Sequence, residues 1–149
     1  RRVAGSGPGD GDGGACAAGY AVARALAGAG MVVICGGRGG VMAAASRGAT
    51  EAGGMAVGIL PEDDDSQANE WLSVAVPTGM GEMRNAIIAR AGVCLVAIGS
   101  NMGTLSEMAM GLKWGKPVFV LYGGVALPGA VPASGLDDLL AKVLDCLLA

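Results

Sequence analysis

Two arginines, one glutamate and a handful of small hydroxyl and amide side chains carry most of the chemistry this chain can offer. Arg38 stands between two glycine pairs in "GGRGGVM" (Gly36–Met42). Gly36, Gly37, Gly39 and Gly40 allow close backbone approach and positive φ, while the guanidinium can fork onto an anion. Val41 and Met42 complete this loop as the following helix begins. The motif is neither G-x-G-x-x-G nor G-x-x-x-x-G-K-[ST], so it announces neither a dinucleotide nor a nucleoside triphosphate. Arg84, in "PTGMGEMRNAII" (Pro77–Ile88), falls near the first turn of its helix. A cation there opposes the helix dipole by roughly 0.3–1 kcal/mol, so its place implies a compensating anion or a buried carboxylate. Thr78 and Gly79 open the same loop.

The stretch "GSNMGTLSE" (Gly99–Glu107) follows an apolar run and precedes a helical pattern. Thr104-x-x-Glu107 fits a capping box, with Thr104 as cap and Glu107 reaching back to its N–H. Gly99, Ser100, Asn101, Met102 and Gly103 surround it with exposed N–H groups and small polar side chains. A structural turn and a phosphate floor both remain open on these residues. A fourth loop, "GSGPGDGDGG" (Gly5–Gly14), places Ser6 and open backbone N–H groups before a helix N-terminus, a place that suits a phosphate or a plain surface turn.

Other chemistries are excluded by composition. The chain has no histidine, which removes Ser-His-Asp and Cys-His catalysis and the commonest zinc ligand. Cys16, Cys35, Cys94 and Cys146 have no CxxC spacing and read as small buried thiols of a reducing compartment. Only Cys35, at the end of a strand before a glycine-rich loop, is placed to touch a ligand. Net charge is −3 and the pI about 4.8, a poor electrostatic footprint for nucleic acid or an anionic membrane. No apolar run approaches the roughly 18 residues of a spanning helix, and no secretory signal is visible, so a cytoplasmic protein is expected.

The elements that must position these groups follow from periodicity. Strands are expected at "RVAGSG", Met31–Cys35, "MAVGIL", "LSVAVP", "VCLVAI" and, last, "PVFVLY". Helices are expected over Gly14–Ala29, Val41–Ala52, Gly81–Ala91, Thr104–Trp114 and Ser134–Leu148, the last opened by the cap pattern "SGLD". The polar stretch "PEDDDSQANE", with its acidic run 62–65, is an exposed loop, either a solvated surface or a lid or partner contact. The strand runs lack polar alternation, as strands buried on both faces do. The 149 residues therefore form a single α/β domain, a doubly wound parallel sheet of Rossmann-like type with helices on both faces. Ligands of such sheets bind beyond the carboxyl ends of the strands, where all four loops lie.

Taken together, "GGRGGVMAAASRGATEAGG", "VGILP", "PTGMGEMRNAIIARA" and "GSNMGTLSEMAMGLKWGKPV" resemble the superfamily of LOG-type phosphoribohydrolases and molybdenum cofactor carrier proteins. The resemblance covers roughly Val3 to Leu121. The phosphoribohydrolase branch carries "PGGxGTxxE" and an Arg-Lys pair. Here Gly103, Thr104, Glu107 and Arg84 match, while Ile98, Ser100, Asn101 and Asn85 depart from that pattern. "GMGEMRN" and "GGRGGVM" are closer to the carrier branch. The resemblance implies a homo-oligomer, dimer or tetramer, that carries molybdenum cofactor, with molybdenum enzymes or cofactor-synthesis proteins as partners. In that reading the phosphate lies on the N–H groups around Gly103 and Thr104 with Ser100 and Asn101. Gly36–Met42 line the pterin side, Arg38 and Arg84 supply positive charge, and the protein ligates no metal itself. Glu107 is then first the structural half of the cap. The hydrolase alternative cleaves a nucleoside 5′-monophosphate to base and ribose 5-phosphate, with Arg84 steering the phosphate and Glu107 as the catalytic carboxylate. A non-catalytic nucleotide-sensing domain is the third reading. The label "lysine decarboxylase" attached to some of these sequences gets no support, since Lys113, Lys116 and Lys142 all lie outside the glycine-rich loops. The helices Gly81–Ala91 and Thr104–Trp114 could supply an isologous face.

Overall fold

The computed structural model describes residues 1–7 and 13–149. Part of the Gly5–Gly14 loop expected to receive a phosphate, residues 8–12, therefore lies outside the described residues. The elements are β1 (Arg2–Ser6), α1 (Gly13–Gly28), β2 (Val32–Cys35), α2 (Val41–Glu51), β3 (Ala56–Leu60), β4 (Val74–Pro77), α3 (Arg84–Ala91), β5 (Leu95–Ile98), α4 (Met102–Lys113), β6 (Val118–Leu121), β7 (Val131–Pro132) and α5 (Leu136–Leu148). All strand pairs are parallel, in the order β4-β3-β2-β1-β5-β6-β7. The fold is the expected α/β doubly wound sheet.

The absence of polar alternation has its cause in the two layers. Side chains of successive strand residues point to opposite faces. Val3, Val96 and Ile98 pack with Ala18, Val22 and Leu26 of α1 and with Leu139, Val143 and Leu147 of α5. Ala4, Leu95 and Ala97 pack with Ile88 of α3 and Met108 of α4. Both faces are covered, so both sets of strand positions must be apolar.

Besides shifts of a residue or two at other ends, three elements differ from expectation. β7 was not anticipated: two residues, one a proline, carry no periodic signal, and the strand exists because Val131 and Pro132 pair with Phe119 and Val120. The helix expected over Gly81–Ala91 is split into a 3₁₀ turn, Gly81–Met83, and α3. α5 begins at Leu136, after Gly135, which offers no side-chain cap; the expected pairing of Ser134 with Asp137 gives way to one a residue further on, as the Ser134 N–H donates to Asp138 Oδ2 at 2.8 Å. Among the described residues no helix is long and apolar enough to cross a membrane.

Candidate functional site

The strand order reverses between β1 and β5, and the crevice of such a sheet opens beyond the carboxyl ends at that switch. A cavity of about 380 Å³ lies there. Four segments wall it: Gly5 to Gly7 at the end of β1; Gly36, Arg38 and Gly39 after β2 with Met42 at the start of α2; Arg84 and Asn85 at the start of α3; and Asn101, Gly103, Thr104 and Glu107 in the first turns of α4. The volume lies in the usual range for small-molecule sites, about 300–1,000 Å³.

The capping box at α4 is not the one expected. Asn101, in extended conformation, is the N-cap, and its Oδ1 accepts the Thr104 N–H at 2.8 Å. Such a cap stabilises a helix by about 1 kcal/mol. Thr104 is thereby moved inside the helix, 2% exposed, and Glu107 is a turn too far along to reach a cap. The carboxylate of Glu107 instead turns inward, 5% exposed, with Oε1 4.0 Å from Arg84 Nη1. Burial pushes its pKa up to about 7, against the opposing pull of the Ser6 hydroxyl and the Arg84 charge.

Arg84 meets the anion that its place on the helix called for, but the pairing is incomplete. Its guanidinium donates to Asn85 Oδ1. Asn85 Nδ2 donates to Ser106 Oγ at 3.1 Å, and Ser106 donates to the Gly103 carbonyl at 2.7 Å. The residue standing where the hydrolase pattern has lysine is thus a buried strut holding the arginine. Burial is the main pull lowering the Arg84 pKa, with the Glu107 and Glu62 charges opposing it. A Cβ on Gly36 would stand 2.7 Å from both Arg84 Nη2 and Met42 Sδ, so a side chain there would push the arginine or the methionine from its present place.

Among the described residues, Arg84 Nε, Thr104 Oγ1 and Glu107 Oε2 are buried without a hydrogen-bond partner. Each belongs to a residue of the cavity wall, and unpaired polar atoms of this kind are rare in folded proteins. Three of them around one cavity make the wall chemically unfinished.

Of the residues singled out in the sequence, Ser6, Gly36, Arg38, Gly39, Met42, Arg84, Asn101, Gly103, Thr104 and Glu107 line the cavity. The others do not. Gly37 packs beneath it against Leu60 and Leu72, Gly40 is the N-cap position of α2, and Val41 is in the core. Thr78 Oγ1 donates to the Leu60 carbonyl at 2.7 Å and accepts the Met80 N–H, which makes a local turn with Gly79. The Gly99 N–H donates to the Leu121 carbonyl, Ser100 Oγ accepts the Gly124 N–H at 2.9 Å, and Met102 is 81% exposed. Cys35 is buried with its Sγ 3.6 Å from Ser46 Oγ, and burial raises its pKa.

Two contributors were missed. Asn85 could have been found from its place beside Arg84. Asn69, at the far end of the acidic loop, clamps the Arg38 loop: its N–H donates to the Gly37 carbonyl at 2.9 Å and its Nδ2 to the Arg38 carbonyl at 3.0 Å. No local pattern marks it, because the two loop carbonyls it holds are 31 and 32 residues away. Asp64 is spent within its own loop, taking the Ser66 hydroxyl and N–H, while Asp63 and Asp65 are exposed.

Residues 2–141 match the model of the SLOG cluster4 family. An uncharacterized protein of Archaeoglobus fulgidus is 41% identical over 110 residues, 74% of this chain and 72% of that protein. Among solved structures, the molybdenum cofactor binding protein of the phototrophic bacterium Rippkaea orientalis superposes with a TM-score of 0.91 at 29% identity, covering 99% of this chain and 97% of that one. The molybdenum cofactor carrier protein of Chlamydomonas reinhardtii gives 0.90 at 28% identity, covering 99% and 98%.

Proposed function

The chain belongs to the SLOG cluster4 family, and we propose that it binds a molybdenum cofactor, shields it and passes it on, without turning it over. The observation that carries this reading is the unfinished wall: Arg84 Nε, Thr104 Oγ1 and Glu107 Oε2, buried and unpartnered around one cavity. The likeness to carrier proteins over nearly the whole chain supports the identity of the ligand.

The ligand is a pterin with a terminal phosphate and a metal held by its own dithiolene sulfurs. It is anionic, and the wall suits an anion. Arg38 and Arg84 are the cations of the lining, and among the described residues Glu107 is its one acidic member. With its pKa pushed up to about 7, Glu107 is largely uncharged below neutrality and does not cancel the arginines. In this reading the phosphate takes the N-terminal end of α4, where Asn101 has already satisfied the Thr104 N–H and the hydroxyl of Thr104 is left to donate. Gly36, Arg38, Gly39 and Met42 line the pterin side, and Asn69 holds their loop in place. The protein works in the cytoplasm as a dimer or tetramer, and light scattering at micromolar concentration tests the assembly, a monomer rejecting it.

Anaerobic native mass spectrometry of freshly purified protein, followed by anaerobic titration with the cofactor, tests the reading. A retained pterin, or saturable binding of one cofactor per chain, is expected. Protein that neither retains nor binds the cofactor overturns it.

One observation favours a second reading. A buried carboxyl titrating near neutrality beside an arginine is what a general acid or base requires. A phosphoribohydrolase would use Arg84 on the ribose phosphate and Glu107 at the N-glycosidic bond. Incubation with AMP and chromatography decides it: free adenine and ribose 5-phosphate at enzyme-like rates would replace the carrier reading.

A further inference from the structure

A second cavity, of about 470 Å³, opens on the same carboxyl-end side of the sheet beyond β6, and none of the residues expected to bind the ligand lines it. Its side-chain walls are mostly apolar, from Val120, Leu127, Ala130, Pro132 and Ala133, with Ser134 and Tyr122 also lining it and Tyr122 59% exposed.

Tyr122 has φ 59, and among the described residues it alone combines a positive φ with a side chain larger than glycine's hydrogen. A bulky residue in the left-handed region is an outlier, and it persists only where the surroundings over-determine the backbone. Here they do. The Leu121 carbonyl is held by the Gly99 N–H at 2.9 Å, and the Gly124 N–H is held by Ser100 Oγ at 2.9 Å. Between them, a Cβ on Gly123 would stand 2.6 Å from Val120 Cγ1, so the loop is pressed against β6. The chain is pinned on both sides of a tyrosine whose ring is largely left in solvent, at a position where glycine would relieve the strain.

Ser100 links the two cavities. Asn101 lines the first, while the hydroxyl of Ser100, one residue earlier and about 3.8 Å away along the backbone, holds the loop of the second.

We propose that the second cavity is a ring subsite: it takes a nucleobase carried on the phosphate that occupies the first cavity, a ring separate from the pterin facing the Arg38 loop, with the Tyr122 ring as its stacking face. This rests on reading the first cavity as an anion site. Stacking is sequence-tolerant and needs only a π-face, which accounts for a subsite with an aromatic rim and few side-chain polar groups.

The test compares GMP with ribose 5-phosphate by calorimetric titration of the wild type, Tyr122→Ala, Tyr122→Phe and Tyr122→Gly. GMP is expected to bind at least about tenfold tighter than ribose 5-phosphate, a gain in the range alanine substitution finds for base stacking. Tyr122→Ala and Tyr122→Gly should abolish that gain and leave ribose 5-phosphate unmoved; Tyr122→Phe should keep it. Tyr122→Gly, freed of the strained φ, should melt no lower than the wild type, which separates loss of the ring from loss of the fold. Equal affinities in the wild type, or a gain that survives Tyr122→Ala, overturn the subsite and leave the anion site standing. A Tyr122-dependent gain with no binding of ribose 5-phosphate does the reverse. If neither compound binds, both fail.

Discussion

Two arginine–glutamate pairs in this chain obey the same electrostatics and end in opposite states. Arg47 and Glu51, four residues apart on α2, meet at 2.8 Å in solvent, and Tyr20 adds a hydrogen bond to the same carboxylate. Arg47 also lies over the Trp71 and Tyr20 rings. The arginine hydrogen bond, first, and that of Tyr20 hold the Glu51 pKa below its usual value. Arg84 and Glu107 come from different helices, stand 4.0 Å apart out of water, and leave a nitrogen and an oxygen unpaired. Burial there outweighs the arginine, and the Glu107 pKa goes up to about 7. The surface pair is complete and has nothing left to offer. The buried pair is unfinished, and a ligand is what would finish it. Proximity of charges alone does not make a site; desolvation without satisfaction does.

The pH dependence of stability should separate the two pairs most sharply. The folded-state pKa of Glu107 is raised from 4.5 to about 7, so the fold favours its protonated form. Its contribution is fully present below 4.5 and is lost as pH rises through 7, an amount of about 3 kcal/mol for a shift of this size. Urea unfolding of the wild type and Glu107→Gln between pH 4.5 and 8 should show the wild type losing stability relative to the variant by about that amount. Parallel curves would show that Glu107 is not held neutral by burial. Glu51→Gln should give a difference of the opposite sign, since the Glu51 contribution is present at neutral pH and lost on acidification. That difference is small, because the pair is exposed.

Arg84→Ala should weaken binding of the cofactor, or of ribose 5-phosphate in its place, by about 2 kcal/mol, roughly thirtyfold. Removing the arginine raises the Glu107 pKa further, so the carboxyl stays neutral and the variant should remain folded. Arg47→Ala should leave the same affinity within about twofold. Equal losses in the two variants would end the distinction between the pairs.

A smaller effect lies in the affinity itself. As pH rises from 6 to 8, Glu107 acquires charge beside Arg84, and binding of an anion should weaken several-fold in the wild type. Glu107→Gln should show a flatter profile above pH 7, where the second ionisation of a phosphate, near pH 6, is already past. Equal slopes in the two proteins would place the titration elsewhere.

The sequence by itself determined the layers and where the glycine-rich loops of the candidate site lie. Apolar runs without alternation required a parallel sheet covered on both faces, and glycine-rich stretches after β2 and β5 marked the carboxyl-end loops. Arg38, Arg84, Gly103, Thr104 and Glu107 were legible there, because residue type and nearness to a helix start are local properties. Tertiary structure decided what those residues do. Thr104-x-x-Glu107 reads as a cap until Asn101 takes that role from three residues upstream, and only then does Glu107 turn toward Arg84, 23 positions earlier in the chain. Ser100 reads as part of the phosphate floor until Gly124 claims its hydroxyl. β7 and the Asn69 clamp leave no trace in periodicity, since each exists through partners distant in sequence. Pattern encodes which face a residue presents. Desolvation and hydrogen-bond satisfaction, which set its charge and its role, depend on neighbours that only the folded chain brings together.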